Sequence, residues 1–138
     1  MDIEKKFTQL PKKHHYSVTK PRITVFKALQ NLAEPVTIPQ LVGMVPTIDT
    51  VSVYRTIELF EKIGIVHRVW NGFKSKIELS EALSSHHHHF SCLSCGKTIA
   101  FNSDELEETL HTFEHTHGFR LTHHSVELSG YCTDCRTS

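Results

Sequence analysis

No run of apolar residues in this sequence approaches the ~20 positions that a membrane-spanning helix needs. Residues 1–16 also lack the apolar core of a secretory leader. A membrane partner is therefore not expected, and a cytoplasmic location is. Cysteine is scarce, with four in 138 residues. Thiols in that compartment stay reduced, so a few paired cysteines suggest metal rather than disulfides. There is no His-Glu-x-x-His, no His-x-Glu followed by Pro-Cys-x-x-Cys, and no glycine-rich phosphate loop. The usual zinc-enzyme and nucleotide-binding signatures are thus missing. Net charge is absent too, with 15 Lys and Arg against 15 Asp and Glu.

That neutrality hides an asymmetry. Residues 1–80 carry 12 basic against 7 acidic side chains, and residues 81–138 carry 3 against 8. Nine of the twelve histidines and all four cysteines lie in the second part. A basic front half suits nucleic acid. A chain this short, if split into two domains, buries little surface in each, so metals or a partner copy are expected as staples.

The first dozen residues are polar and read as mobile. Ile23, Phe26, Leu29 and Leu32 then mark one face of a helix after Thr19, ended by Glu34-Pro35. Thr37-Ile38-Pro39 can open a second helix, with Thr37 as cap and Leu41 and Met44 as its apolar edge. A third helix is expected over 49–63, capped by Asp49, lined by Val53, Ile57 and Phe60, and stopped by Gly64. Two β-prone runs follow, 65–70 and 73–79, around Asn71-Gly72, a strong hairpin signal. Three helices and a hairpin describe a winged helix-turn-helix, against the plainer alternative of a small α+β core.

Beyond a hinge at 83–85, residues 86–93 and 97–101 read as strands around a knuckle. Asn102-x-x-Glu105 opens a helix to His117 with Leu106, Leu110, Phe113 and His117 inward, and 120–128 reads as a further strand.

Cys92-Leu93-Ser94-Cys95 and Cys132-Thr133-Asp134-Cys135 are two Cys-x-x-Cys knuckles. Each grips two corners of a tetrahedron, and together they close one, the geometry of structural zinc. A disulfide pair or idle buried thiols are the alternatives. On a strand, His86 and His88 share one face and His87 and His89 the other, so one tetrad can serve two sites. Glu107 and the pair His123-His124 are further candidates, and His with carboxylate suits zinc, iron, manganese or nickel. The rival is a solvated polar strand. Glu107, His111 and His115 also form a helical stripe, of which His111 and His115 read as exposed surface. With a two-residue Asn71-Gly72 loop, Trp70 pairs with Phe73, His67 with Lys76 and Ile65 with Glu78. His67 and Glu78 are then diagonal neighbours that a metal could bridge.

Val51-Ser52-Val53-Tyr54-Arg55-Thr56 resembles the recognition-helix motif of the ferric-uptake-regulator family. The segment His86 to Lys97 resembles that family's His-rich stretch and knuckle, and His117 to His124 its helix-to-strand segment. The resemblance covers about residues 15–135. It implies an α+β chain: a winged-helix DNA-binding domain (1–82), the hinge (83–85), and a small α/β metal-binding dimerisation domain (86–138). It implies a homodimeric repressor, not an enzyme, that binds double-stranded operator DNA when a regulatory divalent metal is loaded. The structural zinc falls on Cys92, Cys95, Cys132 and Cys135, and a second site on His86, His88, Glu107 and His124. The sensing site falls on Glu78, His87 and His89 plus one DNA-domain residue. Iron- and peroxide-sensing members supply a His where this chain has Pro35, beside Glu34. Zinc-sensing members supply one from a Gly-x-Val-His context, which Gly64-Ile65-Val66-His67 fits, although their second wing ligand is usually Cys and here is Glu78. The regulatory metal is thus expected to be Zn2+ ahead of Fe2+. On the DNA side, Ser52, Tyr54 and Arg55 are expected near bases and backbone, and Lys12, Lys13 and Arg22 at phosphates or the minor groove. A zinc enzyme and a metal buffer without DNA binding are the competing functions.

Overall fold

The computed structural model describes residues 3–71 and 74–137. The chain forms two compact units, residues 1–85 and 86–138.

The first unit begins with α1, Ile3–Lys13, where a mobile segment was expected. Lysines dominate its surface, but Ile3, Phe7, Leu10 and Pro11 line one narrow stripe, and Phe7 and Pro11 are buried. Phe7 stacks on Phe26, ring centroids 4.0 Å apart, and meets Phe60 edge-on. Next come α2 (Lys20–Gln30), α3 (Ile38–Met44) and α4 (Thr50–Lys62). α2 stops four residues before Glu34, with Asn31 as its cap. Thr37 and Gln40 close a reciprocal capping box on α3, which holds a helix that Val42-Gly43 alone disfavours. The Asp49 side chain accepts from the Ser52 amide at the start of α4. At its end Gly64 takes φ +81°, its N–H bonding Glu61 O while the Ile65 N–H bonds Phe60 O. That left-handed turn, cheap for glycine, launches the wing.

The wing is β1 (Val66–Asn71) paired antiparallel with β2 (Lys74–Leu79). Its register differs from the expected one: Asn71 pairs with Lys74, His67 lies directly opposite Glu78, and Lys76 faces Val69. The expected Asn71-Gly72 turn and Trp70–Phe73 pair do not form, since Asn71 pairs with Lys74 and Trp70 with Ser75; Gly72 and Phe73 themselves lie outside the described residues. Val36, in the α2–α3 link, makes an isolated antiparallel bridge to Ile77 on the other edge of β2. Phe26, Leu41, Val53, Ile57, Phe60, Ile65 and Ile77 fill the core beneath. Leu83, assigned by sequence to the hinge, packs into this core.

In the second unit β3 (His88–Cys92) is central, flanked by β4 (Thr98–Phe101) antiparallel and β5 (Glu127–Gly130) parallel. α5 (Asp104–His117) connects β4 to β5. Two boundaries differ from expectation. Ser103, not Asn102, caps α5. With its amide oriented to donate, Asn102 instead reaches back to the carbonyls of Phe101 and His86. The strand expected over 120–128 is confined to Glu127–Gly130, because only that part finds a ladder partner among the described residues. No residue of α5 is fully buried in the single chain: of the expected inward face, Leu106 and Leu110 are half-buried and Phe113 and His117 are exposed.

Candidate metal centres and nucleic-acid interface

The cysteine knuckles are built from turns. Cys92 ends β3; its carbonyl accepts from the Gly96 N–H, and Gly96 at φ +79° folds the loop back so that Cys95 returns beside Cys92. Cys132 opens a matching turn, its carbonyl accepting from the Cys135 and Arg136 amides. The four sulfurs are thiols, not disulfides, and all lie within 4.8 Å of one another. Cys95 Sγ and Cys132 Sγ are 3.8 Å apart, close to the edge of a tetrahedron with Zn–S bonds of ~2.3 Å. The backbone N–H of Cys132 holds the Cys92 thiol down to about 6. Cys135, hydrogen-bonded to Cys132 and its neighbours, is pushed up to about 12. Four clustered thiols cannot all ionise unaided, and a divalent cation at their centre removes that conflict. The donor set therefore fits a closed four-sulfur ion.

A second cluster forms on β3 and α5. Glu107 Oε1 lies 3.1 Å from His86 Nε2 and 2.5 Å from His88 Nε2, and its Oε2 lies 2.7 Å from His124 Nε2. His88 is fully buried, and its Nδ1 accepts from the Val126 N–H, which fixes the ring and turns Nε2 to the carboxylate. The three imidazoles, His88 foremost, hold the Glu107 carboxyl at about 2, down from 4.5. His124 Nε2 is buried beside Oε2 yet makes no hydrogen bond. Three imidazole nitrogens converging on one carboxylate, with all four donor atoms within 4.8 Å of one another, suit a shared cation. His123 lies outside this group and lines a groove with Phe113, His117 and Phe119. His111 and His115 are exposed, as expected, His111 lying 3.4 Å from Glu114.

His87 and His89 pair separately, ring centroids 4.8 Å apart. Although β3 starts only at His88, the expected sorting of the tetrad into 86/88 and 87/89 pairs is present. In the first unit, direct registry brings His67 Nε2 within 2.8 Å of Glu78 Oε1, closer than the diagonal placement read from sequence.

The candidate DNA-facing residues differ in availability. Val51, Tyr54 and Arg55 are exposed on α4. The Ser52 hydroxyl instead donates to Asp49 Oδ1 at 2.6 Å, within the helix cap. Lys12 and Lys13 are exposed at the end of α1. Arg22 is half-buried, donating to Ser17 O and lying near the Tyr16 ring.

A family model for the ferric uptake regulator family matches residues 13–129. The chain belongs to the ferric uptake regulator family. The Ferric uptake regulation protein of Escherichia coli (strain K12) is 37% identical over 133 residues, covering 91% of this chain and 88% of that protein. Among solved structures, the ferric uptake regulator of Vibrio cholerae matches with a TM-score of 0.77 at 32% identity, covering 91% of this chain and 98% of that one. A zinc uptake regulator complexed with zinc and DNA shares the fold, with a TM-score of 0.60 at 19% identity over 97% of this chain and 95% of that one. Family members are metal-responsive transcription regulators, not enzymes, and they bind operator DNA as dimers. No helix among the described residues is long and apolar enough to cross a membrane.

Proposed function

We propose that this chain is a cytoplasmic homodimeric repressor whose operator affinity rises when zinc fills a regulatory site drawn from His67, Glu78, His87 and His89. The observation that carries this reading is the His67–Glu78 pair. A basic nitrogen and a carboxylate oxygen 2.8 Å apart on the wing offer two donors from the DNA-binding unit. Pro35 stands buried where iron- and peroxide-sensing relatives carry their histidine, and it has no donor atom. His87 and His89 would complete the set. An ion held by all four would restrain the angle between DNA-binding and dimerisation domains across the 83–85 hinge, favouring dimers that reach both half-sites.

In the same reading the four cysteines hold structural zinc. His86, His88, Glu107 and His124 hold a further divalent ion, the two sites together staking down residues 86–138. Homodimerisation would cover the apolar side chains Phe113, Phe119, Leu128 and Tyr131, all exposed in the single chain. Tyr54 and Arg55 of α4 read the major groove, with Lys12, Lys13 and Arg22 at phosphates and Ser52 acting through the cap it forms.

A second reading takes ferrous iron as the regulatory ion. It is favoured by the relatives at 37% identity, which are named for ferric uptake. The test is metal analysis of the purified dimer, followed by gel shifts on promoter fragments with zinc or ferrous iron added under buffered conditions. The zinc reading expects retardation at the lower free concentration with zinc. Retardation by iron alone would transfer the site to iron, and metal-independent binding would remove the switch.

A further inference from the structure

Arg68 sits on β1 next to His67 but faces the other way, toward α4. Its Nε and Nη2 donate to Glu61 Oε1 and Oε2 at 2.6 and 3.0 Å, and its Nη1 donates to Ser75 Oγ at 2.9 Å. Glu61 is in the last turn of α4. Ser75 is on β2, diagonal to Arg68 and level with Trp70, toward the wing tip. One guanidinium therefore fastens the helix to both strands of the hairpin.

The position of this fork matters. The base of the wing is held by buried Val66, Val69, Ile77 and Leu79. Beyond Val69 the hairpin has no buried side chain among the described residues, and Trp70 and Lys74 are exposed. The Arg68–Ser75 bond lies nearer the tip than any of these buried side chains. A surface ion pair is usually worth little, but a two-pronged carboxylate–guanidinium contact fixes direction as well as distance.

We propose that Arg68 is a positioning residue for DNA recognition: with Glu61 and Ser75 it locks the wing to the recognition helix, so that both meet the duplex as one rigid body. Arg68 itself touches no DNA. The inference rests on the proposed function, since it needs α4 to be the helix that enters the groove.

The test uses the full-length zinc-loaded dimer and a duplex selected from a random-sequence pool by the wild-type protein. Arg68→Met is expected to bind that duplex about tenfold more weakly, on the order of one lost base contact. Its slope of log affinity against log salt should stay unchanged, because no phosphate contact is lost. The swap Glu61→Arg with Arg68→Glu rebuilds the pair in reverse and should recover most of the loss. Trp70 is the sole tryptophan of the chain. Its fluorescence anisotropy should fall in Arg68→Met and return in the swap. Should Arg68→Met fold poorly, Arg68→Lys, which keeps the charge and loses the fork, should still bind more weakly than wild type with the salt slope intact. Unchanged affinity in a folded variant would overturn the inference, even if its Tm fell. A shallower salt slope with no recovery in the swap would overturn it as well, making Arg68 a direct phosphate contact. Failure of the wild type to select any duplex would sink the functional reading first, and the inference with it.

Discussion

The two units are held together by different physics. The first encloses a continuous apolar core of aromatic and branched side chains from α1 to β2. In the second, the buried residues are His88, His89, Ser91, Cys92 and Thr98, and no residue of α5 is fully buried. Only Cys92 among these is hydrophobic, and it belongs to the thiol cluster. A 53-residue unit without an apolar core cannot stand on burial alone. In the proposed reading its order comes from bound ions and from the surface a partner copy covers. One chain thus carries a self-sufficient half and a conditional half, a suitable division of labour for a metal-responsive regulator.

The largest effect should come from breaking the conditional half. Structural zinc binding in small modules is worth about 10–16 kcal/mol, most of it folding energy. Cys132→Ser, or strong chelation, should unfold residues 86–138 and abolish the dimer. The α2–α4 core should still melt cooperatively in calorimetry. A single wild-type transition in Cys132→Ser would erase the contrast between the units. The converse break is Phe60→Ala, which removes a fully buried ring that Phe7 packs against. It should cost about 3–5 kcal/mol in the first unit, while zinc content measured by metal analysis stays at the wild-type level.

Acid sharpens the comparison. The folded-state pKa of Glu107 is depressed, from 4.5 to about 2. Its stabilising contribution is therefore complete above about 4.5 and is lost as pH falls toward 2. With zinc kept in the buffer, the stability gap between wild type and Glu107→Gln, followed by circular dichroism, should narrow as pH falls across that window. The smallest effect is local. Thr37→Ala removes the capping box of α3 and should lower first-unit stability by about 1 kcal/mol, measured by urea unfolding.

Legibility in the sequence followed how local each signal was. The α3 and α4 caps were readable because Thr37 and Asp49 bond amides three residues away. Both Cys-x-x-Cys knuckles and the 86/88 and 87/89 sorting were readable because spacing alone dictates them. α1 was missed because its lysines mask a stripe that becomes apolar only against Phe26 and Phe60. The wing pairing slipped by two residues because the Asn71-Gly72 turn signal outweighed every pairing cue, and that slip disguised a direct His67–Glu78 contact as a diagonal one. The Glu61–Arg68–Ser75 fork joins three elements, so no single window of sequence carries it. Even the expected register, which sets Ser75 directly opposite Arg68, carries no cue for Glu61 on α4.

The most direct test of the account is operator affinity under buffered zinc, measured by fluorescence anisotropy for wild type, His67→Ala and His89→Ala, with dimer state followed by sedimentation. Wild type should gain at least about tenfold in affinity on zinc loading, a differential of about 1.4 kcal/mol between competent and other states. Both variants should remain folded dimers that stay at the metal-free affinity. Wild-type activation in His67→Ala would take the wing out of the regulatory site and contradict the account.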